Sequence, residues 1–171
     1  ILLILLIIVV FILELSLIEK RNRDLDELIS VYSANGMYGI STDTVFYQND
    51  VLGHADFASM LKANSLSDNG NSIAHDVVLY GWVKAFGNSL LATRSLSLIF
   101  YLVSIGLIFI LSGFFVKSEL VAFLASFCFA FHPLIFMYGT TARTYSFAIF
   151  FPIKKNCVLP RAAKYYFSNN I

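Results

Sequence analysis

Charge is scarce in this chain. Asp, Glu, Lys and Arg make up 13% of its 171 residues, about half the share of a soluble domain. Hydrophobic residues make up 58% and the mean hydropathy is +0.74, so the composition argues against an ordinary soluble domain and for a membrane protein. Cysteine is nearly absent. Cys128 lies in an apolar run and Cys157 in the tail, without metal-ligand spacing or a plausible pairing between them, which excludes a disulfide scaffold and a zinc cluster of the usual kind. A catalytic thiol would also need a histidine at an aqueous face, and Cys128 is expected to serve packing alone. The net charge of +1 excludes a nucleic-acid partner, and no glycine-rich phosphate loop is present.

What the chain has instead is long uncharged runs. Residues 1–18 contain one charge, Glu14; residues 96–116 contain none; residues 120–142 contain only the ionisable His132. Runs of about 20 apolar residues match the hydrocarbon core of a bilayer, so three spans are expected. Residues 1–18 lack a basic leader and are followed by Glu19, Lys20 and Arg21 rather than by a small-residue cleavage site, which reads as a retained anchor. The first residue is Ile, so further residues are expected upstream. Only Lys117, Ser118 and Glu119 separate the second and third runs. A tight helical hairpin follows, and it would return residues 139–145 to the side of the membrane that carries residues 19–94. Residues 144–153 are apolar but too short to span, and residues 154–171 carry four basic residues, no acid and Pro160. The expected division is a span at 1–18, a loop with interfacial helices at 19–94, a transmembrane hairpin at 95–143, and a truncated span with a basic tail at 144–171.

Within the loop, Leu25, Leu28, Ile29 and Tyr32 recur at the spacing of one helix face, with Asp26, Ser30 and Ser33 elsewhere. Asp24 and Glu27 have capping-box spacing, and acids suit the first turn of a helix. A short helix is expected over 56–63 and a loop over 65–72 (SLSDNGNS). The third helix, over 75–86, places Val78, Leu79, Trp82, Val83 and Phe86 on one face and Asp76, Tyr80 and Lys84 away from it. A Trp-bearing amphipathic helix just before a span reads as interfacial.

Three stretches in order carry the chemistry: LDELIS at 25–30, HDVVLYGWVKAFGNSLLATR at 75–94 and HPLIFMYGTTARTYSF at 132–147. Taken singly, Asp26-Glu27 reads as a helix cap, Arg143 as an interfacial anchor and His75 as a polar residue at a helix start. In order, the three resemble the membrane glycosyltransferases that use polyprenyl-phosphate sugars, namely the dolichyl-phosphate-mannose protein mannosyltransferases and lipid A aminoarabinose transferases of glycosyltransferase family 39. Members show an Asp-Glu pair after the first span, a His-Pro-Pro-Leu-Tyr-Tyr stretch leading to Phe-Gly and Arg, and a Tyr-x-x-x-Ala-Arg-x-Tyr run closing the third span. Here Asp76 and Val77 stand where the family has its two prolines, and Gly139-Thr140-Thr141 stands in place of a commonly acidic stretch.

The resemblance covers residues 1–150 and implies an all-α, multi-pass partial GT-C fold with its active-site loop on the non-cytoplasmic face. It implies inverting transfer of a sugar from a polyprenyl-phosphate carrier to an unidentified acceptor. Asp26 matches the family's base, which takes the proton of the acceptor hydroxyl. Arg143 is the cation expected on the departing phosphate, Tyr145 a hydrogen-bond donor beside it, and Glu27 and His75 are expected to line the acceptor or sugar site. Metal use varies among such enzymes, and this sequence has no dedicated ligand cluster. Three spans and a stub fall short of the family's catalytic module, so the expectation is an N-terminal fragment whose own activity is a separate question. The alternative is a small membrane anchor or assembly subunit without catalysis.

Overall fold

The structure is a computed structural model that describes residues 1–38, 56–70 and 72–169, with side chains up to residue 156. The expectation that Cys157 has no pairing partner therefore falls outside the described side chains. Every regular element among the described residues is helical: α1 (Leu2–Ile18), α2 (Leu25–Ala34), α3 (Phe57–Ser67), α4 (Ile73–Phe86), α5 (Leu90–Val116), α6 (Glu119–Ala130), α7 (Pro133–Tyr138) and α8 (Thr144–Asn169). The all-α expectation is met. α3 starts on Asp56, whose carboxylate accepts the Ser59 amide at 2.8 Å, the arrangement of a favourable N-cap. It also runs further than expected, taking in three residues of the 65–72 stretch before Asn69 and Gly70 turn the chain through left-handed conformations.

α5 is the central element, in contact with α1, α4, α6 and α8. Ser89 caps its start by accepting the Ala92 amide at 3.1 Å. Lys117 ends it in the left-handed conformation, with φ of 55°, and Ser118 at once caps α6. The expected tight hairpin forms. The third apolar run, however, is not one helix. Pro133 has no amide to donate and bars the helical conformation for the residue before it. His132 is accordingly extended (φ −64°, ψ 124°), so the run breaks into α6 and the six-residue α7.

Two apolar clusters hold the fold. Leu6, Val10, Ile18, Leu98, Tyr101, Ile105 and Ala130 join α1, α5 and α6. Val31, Ala34, Leu79, Val83, Leu96 and Ala142 join the α2–α4 layer to the base of α5 and the turn before α8. The indole of Trp82 donates to Ala92 O at 2.9 Å and to Ser95 Oγ at 3.2 Å, which ties α4 to α5.

Three sequence expectations about faces are corrected. α2 buries Tyr32 of the expected stripe but exposes Leu25, and it also buries Glu27, Ser30, Val31, Ser33 and Ala34, so much of its polar side faces inward because Glu27 finds a buried partner. On α4, Asp76 is buried with Leu79 and Val83, while Val78 and Phe86 are exposed. Cys128 is exposed on α6 rather than packed.

Among the described residues, α5 alone is long and apolar enough to cross a membrane. Only 17% of its most apolar window is buried, and α1 and α6 are shorter apolar helices. At 1.5 Å per residue, α6 rises about 18 Å, well short of a bilayer core of about 30 Å.

Between α7 and α8 the chain turns tightly against α5. A Cβ at Gly139 would lie 2.7 and 2.9 Å from two ring carbons of Tyr101, whose hydroxyl is held by the carbonyl of Ala130. The ring has nowhere to retreat. Gly139→Ala is expected to destabilise the fold by about 1–3 kcal/mol, the usual cost of overpacking. Thermal unfolding in detergent would register this as a lowered midpoint, and an unchanged midpoint would contradict the packing.

Candidate functional site

Asp26 and Glu27 are neighbours on α2 with opposite fates. Glu27 is fully buried and paired with Arg94 of α5: Nε donates to Oε1 at 2.7 Å and Nη2 to Oε2 at 2.6 Å. This is the two-pronged geometry in which a guanidinium binds a carboxylate best. Arg94 also donates through Nη1 to the carbonyls of Ile18 and Arg21, and through Nη2 to that of Asn22. Glu27 Oε1 additionally accepts the Ala142 amide at 3.3 Å. The pair therefore joins the end of α1, the start of α2, the first turn of α5 and the turn before α8. Capping-box spacing led elsewhere: the Asp24 side chain makes no cap hydrogen bond, and the Glu27 carboxylate is spent on Arg94. Arg23 lies nearby, donating to Asn88 O and Thr93 Oγ1 at 3.4 Å. Burial lowers its pKa, and the Glu27 carboxylate opposes that shift.

Asp26 points outward, its side chain 54% exposed, and meets Arg143, whose side chain is 11% exposed, at 3.3 Å from Nη2 to Oδ1. Arg143 Nη1 lies 3.2 Å from Asp68 Oδ2 and 3.4 Å from Ser30 Oγ. Ser72, at the start of α4, donates to the same Asp68 oxygen. Tyr145, in the first turn of α8, hydrogen-bonds Asp26; burial, and then the Asp26 charge, raise the phenol's pKa and keep its proton in place. Residues from α2, the α3–α4 turn and the start of α8 thus converge on one guanidinium. The arrangement offers an accessible carboxylate for accepting a proton, beside a cation with donors to spare.

His75 is buried, not open. Its Nδ1 faces Asp76 Oδ1 at 3.2 Å, the other Asp76 oxygen accepts Asn64 Nδ2 at 2.8 Å, and the ring stands edge-on to Phe147. Of the expected site residues, the structure brings Asp26, Arg143 and Tyr145 together and turns Glu27 and His75 inward.

A second polar network lies across the 139–143 turn. Arg21 Nη1 donates to Met137 O and Thr140 Oγ1, both at 3.1 Å, and lies 3.6 Å from the buried Glu14; Thr140 donates to that carboxylate at 3.2 Å. Beside it is a pocket of about 380 Å³ whose lining includes Arg21, Asp24, Glu27, Arg94 and Thr140. Among the described residues, no three His, Cys, Asp or Glu side chains are grouped to hold a metal ion.

Arg94, Asp68 and Glu14 form these networks without belonging to the expected site. Arg94 and Glu14 did carry a signal, since a lone charge at or within a long apolar helix needs a partner. Asp68 carried none beyond its place in a turn. No protein-family model, curated protein or solved structure matches the chain.

The two acids are separable by measurement. Glu27→Gln leaves Arg94 charged and buried, and is expected to cost about 3–5 kcal/mol. Asp26→Asn removes an exposed pair worth about 0–1 kcal/mol. Denaturant unfolding of the two variants should rank them in that order, and equal losses would refute the division.

Proposed function

We propose that the chain is a membrane glycosyltransferase module that transfers a sugar from a polyprenyl-phosphate carrier to an acceptor hydroxyl with inversion. The observation that carries this reading is the contact of Asp26 with Arg143 at 3.3 Å, the carboxylate accessible and the guanidinium largely sheltered. In the proposed step the acceptor oxygen forms a bond to the anomeric carbon from the face opposite the phosphate. The bond from that carbon to the phosphate oxygen breaks, and polyprenyl phosphate departs. The acceptor's proton passes to Asp26, while Arg143 offsets the charge gathering on the phosphate. Tyr145, protonated and bonded to Asp26, would orient the carboxylate. Glu27 and His75 support the site from behind in this reading, through Arg94 and Asp76, rather than touching substrate.

The multi-pass arrangement belongs to the same proposal, with α1, α5 and the α6–α7 segment in lipid and the Asp26 site on the non-cytoplasmic side. Its support is apolar surface: Ile4, Ile8 and Ile12 of α1, Val103, Ile110 and Phe114 of α5, and Leu120 and Leu124 of α6 are all exposed, far more than a soluble monomer tolerates. The exposed Leu25 of α2 and Phe86 of α4 suit helices lying at the interface. The rival reading, a non-catalytic anchor or assembly subunit, draws on the fact that Arg143 is already held by two carboxylates, as a purely structural arginine would be.

The purified chain separates the two readings with polyprenyl phosphate and its radiolabelled sugar conjugate. Asp26→Asn should keep lipid-phosphate binding and lower transfer by about 10²–10⁴-fold, the span typical of a lost general base, whereas Arg143→Gln should lose binding. Binding that is absent from the wild type, or indifferent to Arg143, would leave the anchor reading in possession.

A further inference from the structure

The pocket beside α1 shares no lining with the groups that hold Arg143. None of Asp26, Ser30, Asp68 or Arg143 lines it, and its charges differ in kind. Arg94 offers a ligand nothing, because its nitrogens are all engaged by Glu27 and three carbonyls. Glu27 is likewise neutralised. Arg21 is spent on one edge only. Nη1 carries its contacts to Phe136, Met137, Thr140 and Glu14 and the guanidinium lies 5.5 Å from the centre of the Phe136 ring, while Nε and Nη2 make no hydrogen bond among the described residues, and the side chain is 28% exposed. Asp24 is the complementary case. It is exposed, it failed to cap α2, and among the described residues its carboxylate makes no ion pair or hydrogen bond. One unspent guanidinium edge and one unspent carboxylate therefore share a pocket whose other charges cancel.

That pairing selects by sign. A simple anion would meet Asp24, and a simple cation would meet Arg21. A small group carrying both charges satisfies each, since guanidinium binds phosphate oxygens and carboxylate binds an ammonium. The volume of about 380 Å³ is at the small end for ligand sites and fits a head group rather than a whole lipid. The pocket also lies just past the end of α1 at Ile18, and α1 exposes Ile8, Ile12 and Leu15. An apolar helix ending at a two-signed polar pocket is the profile of a lipid interface.

We propose that this pocket binds a phosphoethanolamine-type zwitterion, its phosphate on Arg21 and its ammonium on Asp24. The inference is independent of glycosyl transfer: a chain without transferase activity would still show it, and Asp26→Asn would leave it intact.

The test is lipid retention by the full chain, purified and delipidated in detergent and examined by native mass spectrometry. Phosphatidylethanolamine should be retained about tenfold more than phosphatidylglycerol at equal concentration, a difference of about 1.4 kcal/mol. Asp24→Asn should abolish that preference by weakening phosphatidylethanolamine alone, and Arg21→Gln should weaken both lipids. Arg21 also braces the 139–143 turn, so circular dichroism must show the helices intact; if Arg21→Gln unfolds, Asp24→Asn still decides. Wild-type protein that retains the two lipids equally, or Asp24→Asn that keeps the preference, overturns the proposal. Soluble phosphoethanolamine tells the sources apart: displacement of the lipid by it assigns the pocket to the free zwitterion, persistence assigns it to the membrane lipid, and either upholds the chemistry.

Discussion

The buried pairing of Glu27 with Arg94 is the constraint on which the rest of this molecule hangs. A guanidinium and a carboxylate withdrawn from water each cost several kcal/mol, and only near-ideal geometry with every remaining donor satisfied offsets that cost. The chain supplies the geometry by bringing four segments to one point. Three backbone carbonyls, that of Ile18 at the end of α1 and those of Arg21 and Asn22 beyond it, take the donors that Glu27 leaves, and the Ala142 amide takes a share of the carboxylate. Those carbonyls and that amide belong to the last residue of α1 and to non-helical junctions, whose backbone groups have no ladder partner and must find others. The ion pair is thus the substitute for secondary structure at the place where α1, α2, α5 and the last turn meet.

This division explains which parts of the structure could be read from sequence. Helix positions follow from period and caps, so α1 and α4 lie close to where the sequence places them, α5 begins at Leu90, before its uncharged run, and the hairpin at Lys117 and Ser118 follows from the brevity of the interruption. The errors come from residues whose partners are far away in sequence. An apolar stripe at Leu25, Leu28, Ile29 and Tyr32 reads as the packed face of α2, yet only Tyr32 of the four is buried and Leu25 is exposed, because the helix turns the Glu27–Ser30–Val31 face inward to give a charge its buried partner. The break at Pro133 was readable in principle. Its effect on the residue before it is local and steric, but it was masked by the unbroken hydropathy of residues 120–142.

The candidate site was legible in a similar, partial way. Asp26, Arg143 and Tyr145 are the residues that the family resemblance groups, and they meet in space. Asp68 was not identified, because a turn aspartate at a helix end has ordinary local reasons to exist and its contact with Arg143 is a tertiary accident of the α3–α4 turn. Glu27 and His75 have the side-chain chemistry of substrate ligands, but nothing in their types or spacing says whether the partner is a substrate or another residue. Burial decides that, and burial is a property of the folded layer rather than of the motif.

The 139–143 turn shows how the two kinds of residue depend on each other. Gly139 is pressed on Tyr101, Thr140 is held by Arg21 and Glu14, and Ala142 donates to Glu27, so most of the turn is pinned, each residue by a different helix. Arg143 follows with its own amide bonded to Thr141 at 2.7 Å. A long side chain normally loses much of its rotamer freedom on binding an anion, which weakens the interaction. Here the backbone beneath Arg143 is fixed by groups that never approach a ligand, and the guanidinium is held between Asp26 and Asp68 before any ligand arrives. A phosphate entering that site would exchange one carboxylate contact for another anionic oxygen with little reorganisation. Preorganisation of that kind needs rigid support under the functional group, and part of that support comes from Glu27, the buried carboxylate that spacing reads as a helix cap and the family resemblance assigns to the substrate.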